Sequence, residues 1–255
     1  MPRYNDEALV LRNWDYGESD RIVSVFCRNH GKVRVIAKGA KKMKSRFLGR
    51  LEPFQTVKLS YLGKEHSQLF ILSSIELTGN NMNFISNLDK FSRACYLVEM
   101  VEAGLKEGDP NRTAFDTVVR TLKWIGENEN GRGYEWITRF FDVRFLSSLG
   151  YRPTLDRCVT CGKKFELNSK PFFNPEGGGL SCEKCAKGVE FTIPVSLGSA
   201  RFLEKILSGG FEMAARLKPS PMMIDEIEKS ITAFRNSRLQ RVFKTERYFN
   251  IGKAV

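Results

Sequence analysis

Four cysteines of this chain fall in two short pairs, Cys158-Val-Thr-Cys161 and Cys182-Glu-Lys-Cys185, with twenty residues between them. A Cys-x-x-Cys turn aims two thiolates at one point. Two such turns complete a tetrahedral four-sulfur site, and zinc is the ion that such a site takes. Four protein donors leave no position open for water, so the site is structural and not catalytic. Gly162 follows the first pair, where a backbone close to sulfur benefits from lacking a Cβ, and Gly177-Gly178-Gly179 supplies a tight return before the second. Two disulfides or free thiols are the competing reading, and in a reducing compartment the pattern favours metal. The spacing therefore predicts one structural zinc held by Cys158, Cys161, Cys182 and Cys185. Cys27 and Cys95 fall on apolar faces and read as small core residues.

The second chemical signal is charge. From Arg28 to Arg50 the cations are Arg28, Lys32, Arg34, Lys38, Lys41, Lys42, Lys44, Arg46 and Arg50, and the interval holds no Asp or Glu. A solvated surface mixes both signs. An unmixed positive stretch repels itself and calls for an external polyanion. Gly39, Ser45 and Gly49 suit a flexible loop that follows a phosphate backbone, with Arg34, Lys38, Lys41, Lys42, Lys44 and Arg46 as its contacts. Phe47 and Phe54 offer rings for stacking, although each taken alone reads as a core residue. The competing reading is a solvated lysine-rich loop.

Catalytic patterns are weak. The only two histidines, His30 and His66, fall in turn sequences with no neighbouring cysteine or acid cluster. Asp15, Glu18 and Asp20 could hold a metal for phosphoryl chemistry, but a solvated loop is the plainer reading. There is no Walker glycine loop and no Gly-x-Ser-x-Gly elbow. No enzymatic activity is expected. The C-terminal cations Arg235, Arg238, Arg241, Lys244 and Arg247 recur every third residue, so on a helix they wrap around the axis.

The elements that carry these groups follow from periodicity. Runs at 7–12, 21–27, 32–38, 56–62 and 69–77 are β-prone, and Val33 and Val35 alternate with Lys32 and Arg34. Residues 13–20 read as a turn. Five short strands in succession fit a small Greek-key barrel such as an OB-fold, and other small barrels would give the same count. The remainder has helical period. Helices are expected at 86–105, opened by a Ser86-x-x-Asp89 capping box, and after Asp109-Pro110, as N-cap and first helical residue, towards Ile125. Others are expected at 134–149, near 199–208, and at 222–248. The fold class is α+β: an N-terminal five-stranded OB-fold barrel over 1–80, then a helical domain over 81–255 that carries a zinc-ribbon insertion at 156–189.

At 255 residues and 42% hydrophobic content the chain can bury a substantial core, and its net charge of +12 fits a nucleic-acid partner. No run approaches eighteen apolar residues and no apolar signal core opens the sequence, so a cytoplasmic protein without membrane contact is expected.

The chain resembles the RecO family of bacterial DNA repair and recombination mediators. The resemblance lies in Glu7–Arg12, Tyr16–Arg21, Gly31-Lys32, Ala37–Lys42 and Leu51–Phe54 near the start. It continues through Tyr96–Met100, Glu107–Pro110 and Phe145–Pro153 leading into Cys158-x-x-Cys161, with a loose match at Phe243-Lys244-Thr245. It implies an OB-fold, a helical domain and a zinc insertion. It also implies binding of single- and double-stranded DNA, strand annealing, and loading of the RecA recombinase. RecR and the C-terminal tail of single-stranded DNA-binding protein are the implied partners, and the nucleoid the implied location. Two other classes compete: an RNA- or ribosome-binding protein with the same barrel and zinc logic, and a metal-dependent nuclease built on the acidic trio.

Overall fold

The computed structural model describes residues 1–79, 84–85, 87–129 and 131–249. The chain forms two compact units. One holds Met1–Gly131 and the segment from Phe243; the other holds Arg132–Val242.

The first unit is built on a closed barrel. Its strands are β1 (Arg3–Tyr16), β2 (Asp20–Cys27), β3 (Gly31–Ala37), β4 (Thr56–Leu62) and β5 (Phe70–Gly79), in the order β1-β2-β3-β5-β4. All neighbours are antiparallel except β3 and β5, which pair in parallel through Val35–Phe70 and Ile36–Ile71. This is the OB-fold order, and it removes the sheet edges. Val23, Val25 and Cys27 of β2 face inward with Val33, Val35 and Ala37 of β3, as their alternation requires. β1 runs further than its apolar core suggests. Its first half pairs with β4, a bulge after Val10 re-aims it, and its second half pairs with β2 as far as Tyr16–Asp20. Residues 13–16, expected in a turn, are therefore strand, and the turn shrinks to Gly17–Ser19.

Two helices complete this unit, α1 (Leu88–Gly104) and α2 (Arg112–Glu127). Asn87 caps α1 by accepting from the Lys90 amide at 3.0 Å, and Ser86 of the expected capping box lies outside the described residues. Asp89 binds Arg93 instead, at 2.9 Å. α2 starts later than expected. Asn111 is its cap, accepting from Ala114 N–H, in place of Asp109. Residues 107–109 are otherwise engaged: Lys32 and Glu107 form a β-bridge, and Gly108 N–H donates to Lys32 O at 2.9 Å. Gly31 makes this docking possible. It has φ 70°, and a Cβ there would meet the Asp109 backbone at 2.5 Å. On α1, Ala94, Val98, Val101 and Leu105 are buried as expected, but Phe91 is 40% exposed and Cys95 only half-buried. The C-terminal 3-10 turn Lys244–Tyr248 is fixed to α1 by the buried Glu99, whose carboxylate accepts from Thr245 Oγ1 at 2.7 Å.

In the second unit α3 (Tyr134–Ser148) buries Ile137, Phe140, Phe141 and Phe145. Then come β6 (Phe172–Asn174), β7 (Gly179–Ser181), α4 (Glu183–Ala186) and β8 (Ile193–Pro194). The helices α5 (Leu197–Ser208), α6 (Phe211–Arg216) and α7 (Pro221–Leu239) follow. The small sheet has the order β7-β6-β8. The long helix expected over 222–248 stops at Leu239, because Gln240 takes a left-handed conformation, φ 47°. The C-terminal cations are thereby divided. Arg235 is fully buried, and Arg238 donates to the Pro175 and Glu176 carbonyls. No helix among the described residues is long and apolar enough to cross a membrane.

Candidate metal centre and candidate nucleic-acid interface

Backbone hydrogen bonds bring the two cysteine pairs together. Thr154 N–H donates to Gly178 O, Leu180 N–H to Thr154 O, and Val159 N–H to Leu180 O at 2.7 Å. This short ladder lays the first Cys-x-x-Cys turn against the strand that leads into the second. Gly162 closes the first turn with φ 74°, and no atom lies within 4 Å of where its Cβ would be. Its value is thus conformational, and the expected steric reason does not apply. Cys182 caps α4, so Cys185 stands one turn later on the same helical stub.

The sulfurs of Cys158, Cys161, Cys182 and Cys185 all lie within 4.8 Å of one another, and Cys161 and Cys182 are 3.9 Å apart. Four sulfurs at about 2.3 Å from a tetrahedral ion stand about 3.8 Å from each other, so the donor set suits a metal of that geometry. A disulfide would need about 2.05 Å. Burial works against a thiolate at Cys158, but the backbone N–H groups of Cys161, Cys182 and Thr160 outweigh it and hold its pKa down to about 6. The neighbouring Cys182 and Cys161 side chains push the Cys185 thiol up to about 12. The protein itself favours a thiolate at Cys158 and opposes one at Cys185, where a cation between the sulfurs would favour it. Among the described residues these cysteines are the one cluster of three or more metal-ligating side chains.

The basic segment after β3 is more ordered than a flexible loop. It winds through successive turns: Lys42 N–H bonds Gly39 O, Ser45 N–H bonds Lys42 O, Leu48 N–H bonds Ser45 O, and Arg50 N–H bonds Phe47 O. Ala40, Phe47 and Leu51 are set into the barrel core beneath it. Burying a ring such as Phe47 is worth about 2–3 kcal/mol. Phe47 and Phe54 are both buried and offer no stacking face. The β1–β2 hairpin holds the segment from the side. Gly39 N–H donates to Asp20 Oδ1 at 2.7 Å, Lys41 N–H to Ser19 O at 2.9 Å, and Lys41 Nζ pairs with Asp15 at 3.0 Å. The hydrogen bond from Lys41 lowers the pKa of Asp15, and that from the Gly39 amide lowers the pKa of Asp20.

Five of the six expected contacts, Lys38, Lys41, Lys42, Lys44 and Arg46, stand in this run of turns as exposed residues, Lys41 with its side chain partly covered by Asp15. Lys38, Lys42 and Lys44 have no ion-pair partner among the described residues, and the Arg46 guanidinium lies 4.8 Å from the Phe47 ring centre. Arg34 stands apart on the outer face of β3, paired with Glu107.

The sequence matches two family models, "Recombination protein O N terminal" over residues 1–81 and "Recombination protein O C terminal" over residues 85–247. The chain belongs to the RecO family. Among its relatives is the DNA repair protein RecO of Thermoanaerobacter sp. (strain X514), 30% identical over 244 residues, 96% of this chain and 96% of that protein. The protein of the same name from Symbiobacterium thermophilum is 28% identical over 98% of each chain. That from Syntrophus aciditrophicus is 33% identical over 78% of this chain and 77% of its own.

Other residues of this RecO chain take structural roles. Asp15 and Asp20 are spent on the basic segment and the exposed Glu18 does not join them, so the acidic trio forms no metal site among the described residues. His30 stands in a turn, as expected, but it has an acid partner that its sequence neighbours do not supply. Its Nδ1 lies 2.6 Å from Asp6, whose buried carboxylate also accepts from Asn29. His66 is exposed in a turn, as expected. The sequence reading missed the exposed rings of Trp14 and Tyr16. Their alternation with Asn13 and Asp15 was the available signal, and the turn assigned to 13–20 hid it.

Proposed function

We propose that this protein is a non-catalytic DNA-binding mediator of recombinational repair. In this reading it anneals single strands and helps load the RecA recombinase onto DNA coated by single-stranded DNA-binding protein. The observation that carries the reading is the acid-free series of cations displayed on turns that are pinned to a closed barrel, in a chain of this family. Lys38, Lys41, Lys42, Lys44 and Arg46 meet phosphates and release counterions, while Arg34, held apart on β3 by Glu107, is left out of these contacts. Such contacts position a strand without reading its sequence. Neutralising two strands at one surface lowers their mutual repulsion, which is what annealing needs. Residues 1–80 serve as the nucleic-acid-binding domain and 81–255 as the helical domain with its insertion at 156–189.

The ion at Cys158, Cys161, Cys182 and Cys185 is one structural zinc, which crosslinks the insertion and activates no water. RecR and the acidic, apolar tail of single-stranded DNA-binding protein are the protein partners, the tail meeting helix-packed pockets with cationic edges. The nucleoid in the cytoplasm is the place of action. The test is annealing of complementary oligonucleotides coated with single-stranded DNA-binding protein, with and without RecR. Acceleration by this protein supports the reading, and its absence in both arms refutes it. Equal competition by RNA of the same length would favour an RNA-binding role, since the 2′-OH is the handle that tells the two apart.

A further inference from the structure

We propose that Trp14 and Tyr16, on the outer face of β1, are a stacking platform for the bases of a single strand whose phosphates run along the neighbouring basic turns. The inference rests on the DNA-binding reading above and adds to it the surface that holds the bases.

Trp14 is 40% and Tyr16 53% exposed. Exposed apolar side chains taken singly are ordinary, but two aromatic rings side by side on one face of a strand offer a surface that a flat group can stack on. They stand two residues apart, so they project from one face of β1. Register identifies that face as the outside of the barrel. Trp14 pairs with Ile22 and Ile22 with Ile36, while the inward residues of the same strands are Val23 and Val35. A cleft of about 370 Å³ opens beside Trp14 over Ser24, with Arg12 and Arg34 on its walls. Both arginines are already paired, with Glu102 and Glu107. This face is thus suited to an uncharged, flat group more than to a phosphate.

The phosphate-binding charge lies next to it. Asp15, the residue between the two rings, is the one that holds Lys41, and Ser19 of the same hairpin binds the Lys41 amide. Rings and cations are therefore joined through one hairpin, bases to one side and backbone to the other. Residues two apart on a strand are separated by about 6.8 Å. That is twice the about 3.4 Å per nucleotide of a stacked strand. Bases on the two rings are held apart from each other, open to a complementary strand, and every base presents a face to such rings whatever its identity.

Tryptophan fluorescence of the whole protein tests this directly. Of the three tryptophans, Trp136 is buried and Trp124 half-buried, so Trp14 is the exposed reporter. A polythymidine oligonucleotide is titrated in while binding is followed in parallel by anisotropy of the labelled strand. Quenching should saturate together with the anisotropy and vanish in Trp14→Phe. The Trp14→Ala/Tyr16→Ala variant should lose about tenfold or more in affinity with an unchanged salt slope, since rings release no counterions. Binding by anisotropy without a Trp14-dependent quench overturns the platform and leaves the DNA reading standing. So does wild-type affinity in the double variant. Should that variant fail to fold, the quench and its loss in Trp14→Phe still decide. No binding at all overturns both.

Discussion

Cys182 contributes twice to the four-sulfur cluster. Its thiol is one of the four clustered sulfurs, and its backbone N–H points at Cys158 Sγ from 3.4 Å. A hydrogen bond of that kind favours the charged sulfur, and a metal-bound thiolate keeps it. Cys161 is the exposed member, with little packing of its own to lose. Replacing it by Ser therefore changes one sulfur of the cluster and almost nothing else. Apparent zinc-binding energies of about 10–16 kcal/mol exceed what an insertion of roughly thirty residues gains from its own core. In Cys161→Ser, bound zinc should fall from about one per chain towards none, and the insertion should become sensitive to protease. Retention of one zinc per chain by elemental analysis, with unchanged melting, would mean that Cys161 is not a ligand.

At the scale of elements, the turns from Ala40 to Arg50 show how charge is mounted on a scaffold. Ala40, Phe47 and Leu51 fix the segment from below, and Asp20 fixes its entry through the Gly39 amide. The pKa of Asp20 is lowered in the folded protein, so its anchor is fully present above the ordinary Asp value of about 3.9 and is lost as the pH falls through the lowered value. Asp20→Ala should speed tryptic cleavage after Lys38–Arg46 at neutral pH. The melting difference between wild type and variant should shrink as the pH drops below about 4. A variant cleaved at the wild-type rate would show that the Phe47 plug suffices.

Much of this level was legible in the sequence. The five strands, the cysteine pairs and the burial of Phe47 follow from alternation, spacing and apolarity, which are local properties. What was not legible depends on pairing and packing between elements, which no single run displays. Residues 13–16 look like a turn until β2 pairs with them, and Asp109 would cap a helix were its backbone not laid against Gly31. His30 looks idle until β1 brings Asp6 to it. Composition alone could not say that Gln240 turns the chain out of α7.

For the whole molecule, the net charge of +12 ensures attraction to polyanions but not where they bind. The structure separates cations with other duties from cations without. Arg235 and Arg238 are tied into the second unit, Arg34 pairs with Glu107, and Lys41 is shared with Asp15. Lys42 and Lys44 carry the central claim, being exposed and unpaired among the described residues. The direct measurement is single-strand affinity against salt for wild type and Lys42→Glu/Lys44→Glu. With about five phosphates met, the slope of log affinity on log salt should lie near −3.5 for the wild type. The variant should bind more weakly with every sequence tested, flatten that slope by about 1.4, and melt as the wild type does. Wild-type affinity with an unchanged slope would contradict the account and show that the basic turns are only a solvated face.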